Sequence, residues 1–189
     1  MQEVGGFVAV NMVPFDYDAV RGDLEGLDIT AKLSRSGPLI SLRYEITGRS
    51  LKNVFFPEKE ESPSRKEELW NTTCLEAFLS AKDQKRYWEL NFSPSASWNC
   101  YSFDSYRSGM IEEAAVTTLP IVTSLNEEAF VMETRLGLEG IADLSIKDGL
   151  MFGLSCVLVT KKGEKSYWAL KHCGNRPDFH LRDSFVVSI

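Results

Sequence analysis

The dominant period along the chain is two. In PLISLRYEIT, Ile40, Leu42, Tyr44 and Ile46 fall on one side, and Ser41, Arg43, Glu45 and Thr47 on the other. Strict alternation of this kind marks a strand with one buried face. In AFVMETRLGL the same rule separates Phe130, Met132 and Leu136 from Glu133 and Arg135. Further strand segments are GFVAVNMV, DITAKLSR, TCLEAFLS, YWELNFS, WNCYSFDS, AAVTTLPIV, LMFGLSCVLVT, SYWALKH and SFVVSI. The turn signals SGP, TGRS, SPSAS, KKGEK and CGNRPD separate them. Helical period is scarce, with a short turn over IADLSIKD the best candidate. Many short strands at regular spacing predict an all-β fold, an antiparallel β-sandwich with few short helical turns. The run FFPEKEESPSRKEE has two prolines, many charges and no period, and predicts a charged exposed loop at 57–68.

One segment is unusually rich in aromatic and polar groups together: YWELNFSPSASWNCYSFDSYRSGM, residues 87–110. It alternates, breaks at a Ser-Pro-Ser turn and alternates again. Trp88, Leu90 and Phe92 share one face, and Tyr87, Glu89, Asn91 and Ser93 the other. In TCLEAFLS, Leu75, Ala77 and Leu79 oppose Cys74, Glu76 and Phe78. Pairing the two strands with their apolar faces together brings Glu76 beside Glu89 and Asn91. Carboxylates and an amide at fixed spacing suit the gripping of hydroxyls. A plain solvated sheet face is the commoner meaning of such a pattern. Trp88, Tyr101 and Phe103 are expected in the core, with Tyr87, Glu89 and Asn91 on a concave surface. Trp98, Tyr106 and Arg107 are expected to form its rim or to close an end of the sandwich. A tryptophan at a strand end, as at Trp70, Trp98 or Trp168, is either a core plug or a platform for a sugar ring.

Composition narrows the partners. The chain has 189 residues, an apolar fraction of 43% and a charged fraction of 25%, which suits one globular domain over 1–189. A net charge of -6 argues against nucleic acid or an anionic membrane as main partner. The start MQEVGGFVAVNMVPF lacks the cationic and apolar regions of a secretory signal, and no run is long enough to span a membrane. The expectation is a cytoplasmic protein with reduced thiols. Cys74, Cys100, Cys156 and Cys173 are widely spaced, and three of them sit in apolar runs as small hydrophobes. The sequence does not fix the oligomeric state.

Other chemistries are weaker. KHCGNRPDFHLRDSF gathers His172, His180, Arg176, Arg182, Asp178 and Asp183. An enzyme here would pair Asp178 or Asp183 with a histidine and use Ser184 or Cys173 as nucleophile, but no activated-nucleophile motif is present. The blander expectation is that Asp178 and His180 tie down a turn while the arginines pair with acids. FDYDAVRGDLEGLD offers acidic oxygens for calcium at a spacing that fits no EF-hand. Phosphate-binding glycine loops are absent. Glu76 and Glu89 could lie close enough for glycosidic cleavage, though nothing in the sequence marks either as a proton donor.

ELWNTTCLEAFLS, then YWELNFSPSASWNCYSFDSYRSGM, then SYWALKHCGNRPDFH resemble the DOMON-like proteins, which are related to the family 9 carbohydrate-binding modules of xylanases. The resemblance covers roughly residues 30–189. It implies a sandwich of two antiparallel sheets, jelly-roll-like, and a non-catalytic protein with a saccharide ligand. By position in these motifs, Trp70 looks like a first stacking residue and Trp168 like a second. Glu76 looks like a hydroxyl ligand, with Glu89 and Asn91 on the next strand; His172 is a further candidate to hydrogen-bond the ligand. The early Asp-Gly motif and early tryptophan of the family are missing. The wider DOMON group also implies haem as an alternative cofactor, for which Met110, Met132, Met151, His172 and Lys171 are possible axial ligands.

Overall fold

The computed structural model describes residues 7–16, 22–141, 144 and 149–189. The turn expected over IADLSIKD lies almost wholly outside the described residues, as does the middle of the acidic run that follows Phe15. Two antiparallel sheets pack face to face. The first takes β1 (Val8–Asn11), β3 (Leu27–Ser36), β4 (Leu39–Gly48), β10 (Ala129–Gly137) and β9 (Ile121–Leu125), in that spatial order. The second takes β2 (Val13–Pro14), β12 (Lys165–Ala169), β11 (Leu150–Val159), β5 (Cys74–Ala81), β6 (Tyr87–Phe92), β7 (Trp98–Phe103) and β8 (Ile111–Glu112). A short β13 (Val187–Ser188) also pairs with β11. Among the described residues no helix is long and apolar enough to cross a membrane.

The two sheets differ as their patterns predict. In the first, Leu27, Ile29, Ala31 and Leu33 of β3 and Ile40, Leu42, Tyr44 and Ile46 of β4 are buried against the second sheet. The alternate positions face outward, where Arg43 pairs with its cross-strand neighbour Glu133 at 2.7 Å. Strands β5, β6 and β7 are buried at every position, and β11 at nearly every one. Its near-continuous apolar run, LMFGLSCVLV, is the signature of a strand covered on both faces. Phe152, Leu154, Cys156 and Leu158 point between the sheets, with Leu75, Leu79, Trp88, Leu90 and Phe92. The Tyr44 hydroxyl ties the layers by donating to the Glu76 carbonyl at 2.6 Å.

What covers the outer face of the second sheet decides where the site lies. A second apolar cluster sits there, made by Phe78, Tyr87, Tyr101, Phe103 and Val157 from the strands and by Phe179 and Phe185 from the segment after β12. Gly153 makes this possible: a Cβ at that position would stand 2.9 Å from Cδ1 of Phe185. Tyr101 and Phe103 are buried, as expected of core residues, but in this outer cluster rather than between the sheets. Alternation along β7 sends Trp98 and Cys100 inward instead. Cys74, Cys100 and Cys156 are buried free thiols in their strands, and Cys173 is half-buried. Two strand segments shrink. AAVTTLPIV becomes extended irregular chain, Val116 and Leu119 plugging the core, before β9 begins at Ile121. SFVVSI yields only β13 after a single 3-10 turn over Arg182–Ser184.

The loop at 57–68 is mostly exposed, with one correction. Arg65 turns inward, lies 4.6 Å over the ring of Trp98, and donates to Asn99 Oδ1 at 2.8 Å and to the carbonyls of Cys100, Glu113 and Val116. Trp98 is thus a core plug beneath an arginine rather than a rim residue.

Candidate functional site

The β5–β6 register places Glu76 opposite Asn91 and Phe78 opposite Glu89. Period two then puts Glu76, Glu89 and Asn91 on one face. This is the outer face of the larger sheet, and it is buried: Glu76 is 4% exposed, Glu89 5% and Asn91 0%. The two carboxyls form the base of an open cavity of about 350 Å³, within the range of small-ligand pockets. Val157 and Phe103 continue the base, and Trp70, Tyr167 and Phe179 line the sides. Arg107 and Met110 enter from the chain after β7, and Pro177 and His180 from the segment after β12.

Each wall is fixed locally. Trp70 sits in a single 3-10 turn, Leu69–Asn71, entered through Glu68 in the left-handed region at φ +55°. Its indole meets the ring of Tyr101 edge-on at 6.0 Å. The ammonium of Lys165 holds its carbonyl at 3.1 Å. Arg107 also has a left-handed backbone, at φ +52°. Its amide donates to the Tyr87 hydroxyl at 3.2 Å, and its guanidinium pairs with Asp178 at 3.0 Å. The Asp178 carboxylate also accepts from the Tyr106 hydroxyl and from the amide of His180. Asp178 thereby does tie down the turn before His180, as the sequence suggests.

The base is a connected polar network. Asn91 donates to Glu89 at 2.9 Å, and Ser155 donates to Glu76 at 3.2 Å. The Tyr87 hydroxyl accepts from the Arg107 amide and lies 2.8 Å from His180 Nδ1, and we assign its proton to that bond. We assign the remaining ring proton to Nε2, which stands 3.8 Å from Glu89.

Burial governs the protonation of this network. It raises Glu76 well above the usual carboxylate range, and the neighbouring Glu89 charge adds to the shift. It raises Glu89 to about 7, against the Asn91 hydrogen bond and the Arg107 charge, which both favour ionisation. It lowers His180 to about 4, with Arg107 acting in the same direction. It lifts the Tyr87 phenol to about 12. For Asp178 burial alone would raise the pKa, but hydrogen bonds from Tyr106 and Arg107 hold it below its ordinary value. At neutral pH the base thus presents a Glu76 that keeps its proton, a Glu89 close to its midpoint and a neutral imidazole, giving donors and acceptors side by side.

Of the residues singled out from the sequence, Trp70, Glu76, Glu89 and Arg107 line the cavity. Asn91 stands behind Glu89, and Tyr106 stands behind Asp178. Trp168 does not reach the cavity: it is 4% exposed and packs between the sheets. Its neighbour Tyr167, on the opposite face of β12, lines the cavity instead. His172 is also placed elsewhere, with Nε2 3.0 Å from the Val13 carbonyl and its ring edge-on to Phe15. His180 occupies the cavity wall. Of the methionines considered for haem, Met110 lines the cavity, whereas Met132 is in the inter-sheet core and Met151 packs on the outer cluster.

The fold has known counterparts. A candidate carbohydrate-binding protein from Bacteroides uniformis superposes with a TM-score of 0.69 over 96% of this chain and 84% of that one, at 14% identity. Family 9 carbohydrate-binding modules from Caldicellulosiruptor kristjanssonii, solved with cellotriose and with glucose, match 76% of this chain at 11% identity and a TM-score of 0.44, covering 65% and 66% of their own lengths. At these identities the likeness to the Bacteroides protein is one of fold. No protein-family model and no curated protein sequence matches the chain.

Sequence reasoning misses Tyr167 and Phe179, and it marks His180 only as a turn or catalytic residue. For Tyr167 a signal existed. In SYWALKH consecutive aromatics point to opposite faces, so only one of Tyr167 and Trp168 can share the face of Glu76. The register resolves it, because Val157, of the same face, pairs with Tyr167. Phe179 and His180 lie in an irregular segment, where no period applies.

Proposed function

We propose that the protein is a non-catalytic binding protein whose cavity takes a saccharide or one terminal residue of a glycan. The observation that carries this reading is the joining of two buried carboxyls, Glu76 and Glu89, with the aromatic sides Trp70, Tyr167 and Phe179 in one open cavity of about 350 Å³. Axial C–H groups of a pyranose pack on aromatic faces while its hydroxyls need paired donors and acceptors. Glu76, Glu89 and His180 supply these at the base, and Arg107 adds a donor at the rim. The fold likeness to the Bacteroides protein, itself described as a candidate binder of carbohydrate, and the sequence resemblance to family 9 modules support the same ligand class. No cofactor is required by this arrangement.

The test is a fluorescence and calorimetric titration with soluble mono- and oligosaccharides. Trp70 is half-buried at the cavity, so occupancy should change tryptophan emission. Saturable binding that a Trp70→Ala, Tyr167→Ala double variant abolishes supports the reading. Silence across a broad panel removes it.

A further inference from the structure

The base of the cavity holds two carboxyls with no cation in direct contact with either. Glu76 and Glu89 are both more than nine-tenths buried and both line the cavity. Their hydrogen bonds come from Ser155 and Asn91, which are neutral. The nearby cations do not touch the pair: Arg107 is paired with Asp178, and Lys165, which also lines the cavity, donates to the neutral Trp70 carbonyl, so both act on Glu76 only through space. The remaining groups facing the pair, His180, Tyr87 and Cys74, are neutral near pH 7, since burial lowers the histidine and raises the phenol and the thiol. A buried carboxyl pair that no cation touches directly is costly to ionise.

We propose that this cavity selects a saccharide carrying a free amino group, whose ammonium completes the ion pair left open by Glu76 and Glu89. The inference rests on the saccharide reading above and names the ligand class within it. Without ligand the pair keeps a proton, as the raised values of both carboxyls indicate. An ammonium entering the base takes the place of that proton, in a dry setting where a charge-assisted hydrogen bond is strong. Aromatic sides accommodate the ring, as for any pyranose. A neutral sugar finds the same walls but leaves the pair protonated. An N-acetylated sugar loses the charge and adds bulk at the base.

The experiment compares matched sugars at neutral pH in the presence of EDTA: glucosamine with glucose and N-acetylglucosamine, and galactosamine with galactose and N-acetylgalactosamine. We expect an amino sugar to bind about tenfold or more tighter than its parent. Calorimetry in buffers of different ionisation enthalpy should show release of roughly half a proton or more per ligand bound. Glu89→Gln and Glu76→Gln keep the side-chain shape, and each should bring the ratio of amino sugar to parent affinity towards unity. Equal affinity for parent and amino sugar, or a preference that both variants retain, overturns the inference and leaves the saccharide reading intact. No binding by any of the six sugars overturns the amino-sugar inference, whereas the saccharide reading falls only with silence across the broad panel.

Discussion

The carboxylate of Asp178 meets the guanidinium of Arg107 at 3.0 Å, with the acid side chain 7% exposed and the arginine 49%. The same carboxylate accepts from the Tyr106 hydroxyl and the His180 amide. One buried acid therefore joins the chain after β7 to the segment that carries His180. Removing it leaves three donors without their acceptor in a partly buried setting. Asp178→Ala should cost about 1–3 kcal/mol of stability and weaken saccharide binding, because both rim segments lose their anchor. Because its pKa is held below 3.8, the stabilisation from this acid is present above that value and is lost as the pH falls through its folded pKa. Urea unfolding of Asp178→Ala and Asp178→Asn checks this. A stability equal to the parent's in both variants would remove Asp178 as an anchor.

Glu89 and His180 face each other at 3.8 Å and pull the pH dependence of stability in opposite directions. The native Glu89 holds its proton to about 7, against 4.5 ordinarily. Between those values the native state binds more protons than the unfolded chain, so this group lowers stability as pH rises. His180 stays neutral to about 4, against 6.5 ordinarily. There the unfolded chain binds more protons, so this group lowers stability as pH falls. Glu89→Gln removes the first effect and keeps the second. Between about pH 5 and about pH 8 the variant should gain on the parent by on the order of 3 kcal/mol. Denaturant titrations of both proteins at the two pH values measure it. A difference that stays constant with pH would contradict the raised Glu89 value.

Much of the fold was legible because β4 and β10 alternate in hydrophobic and polar character along most of their length, Leu39, Val131 and Thr134 being exceptions, in a sheet with one wet face. The same rule joined Glu76, Glu89 and Asn91 before any pairing was known, since hairpin partners with one apolar face each leave one register parity. The rule fails where both faces are buried. Tyr167 and Trp168 are both aromatic, so polarity does not tell inside from outside, and only the β11–β12 register does. His180 and Phe179 were illegible for another reason. They lie on irregular chain folded across a sheet, a placement fixed by Phe185 over Gly153 and by Asp178 on Arg107, partners far away in sequence.

Gly153 lets the segment lie flat. An added methyl would stand 2.9 Å from the ring of Phe185 and 3.4 Å from the Ser184 carbonyl. Phe185 also packs against Phe78 and Tyr87, so the ring has little room to withdraw. Gly153→Ala should cost about 1–3 kcal/mol, as overpacking does. It should also weaken saccharide binding by shifting the chain that carries His180. A Gly153→Ala, Phe185→Leu double variant, with space restored, should recover part of the binding. Thermal unfolding with the same ligand titration would show whether the two changes compensate.

Arg65 looks like one more charge in a charged loop, yet it supplies donors to three carbonyls and an amide oxygen. Lysine keeps the charge but cannot reproduce the planar fork. Arg65→Lys should therefore destabilise by about 1–3 kcal/mol, through acceptors left without donors. Substitution of the exposed Lys59 in the same loop should stay within about 0.5 kcal/mol. Parallel chemical unfolding of the two variants separates an inserted arginine from a solvated one, and equal effects would contradict the insertion.

Trp70 and Trp168 separate binding from stability. Trp168 is enclosed between the sheets beside Cys156, its register partner, and its removal leaves a large cavity in the main core. Trp168→Ala should cost about 3–5 kcal/mol. Any loss of binding in that variant should follow the loss of folded protein. Trp70 stands half-buried on a single turn, touching Tyr101 by one edge. Trp70→Ala removes little packed area, and the stability change should remain under about 1.5 kcal/mol. Its effect should fall on saccharide affinity, because the lost face is one the ligand would cover. Measuring unfolding and binding on both variants gives a crossed pattern if Trp70 is the platform and Trp168 the plug. The reverse pattern, with binding lost selectively in Trp168→Ala, would place the ligand on the other side of the sheet.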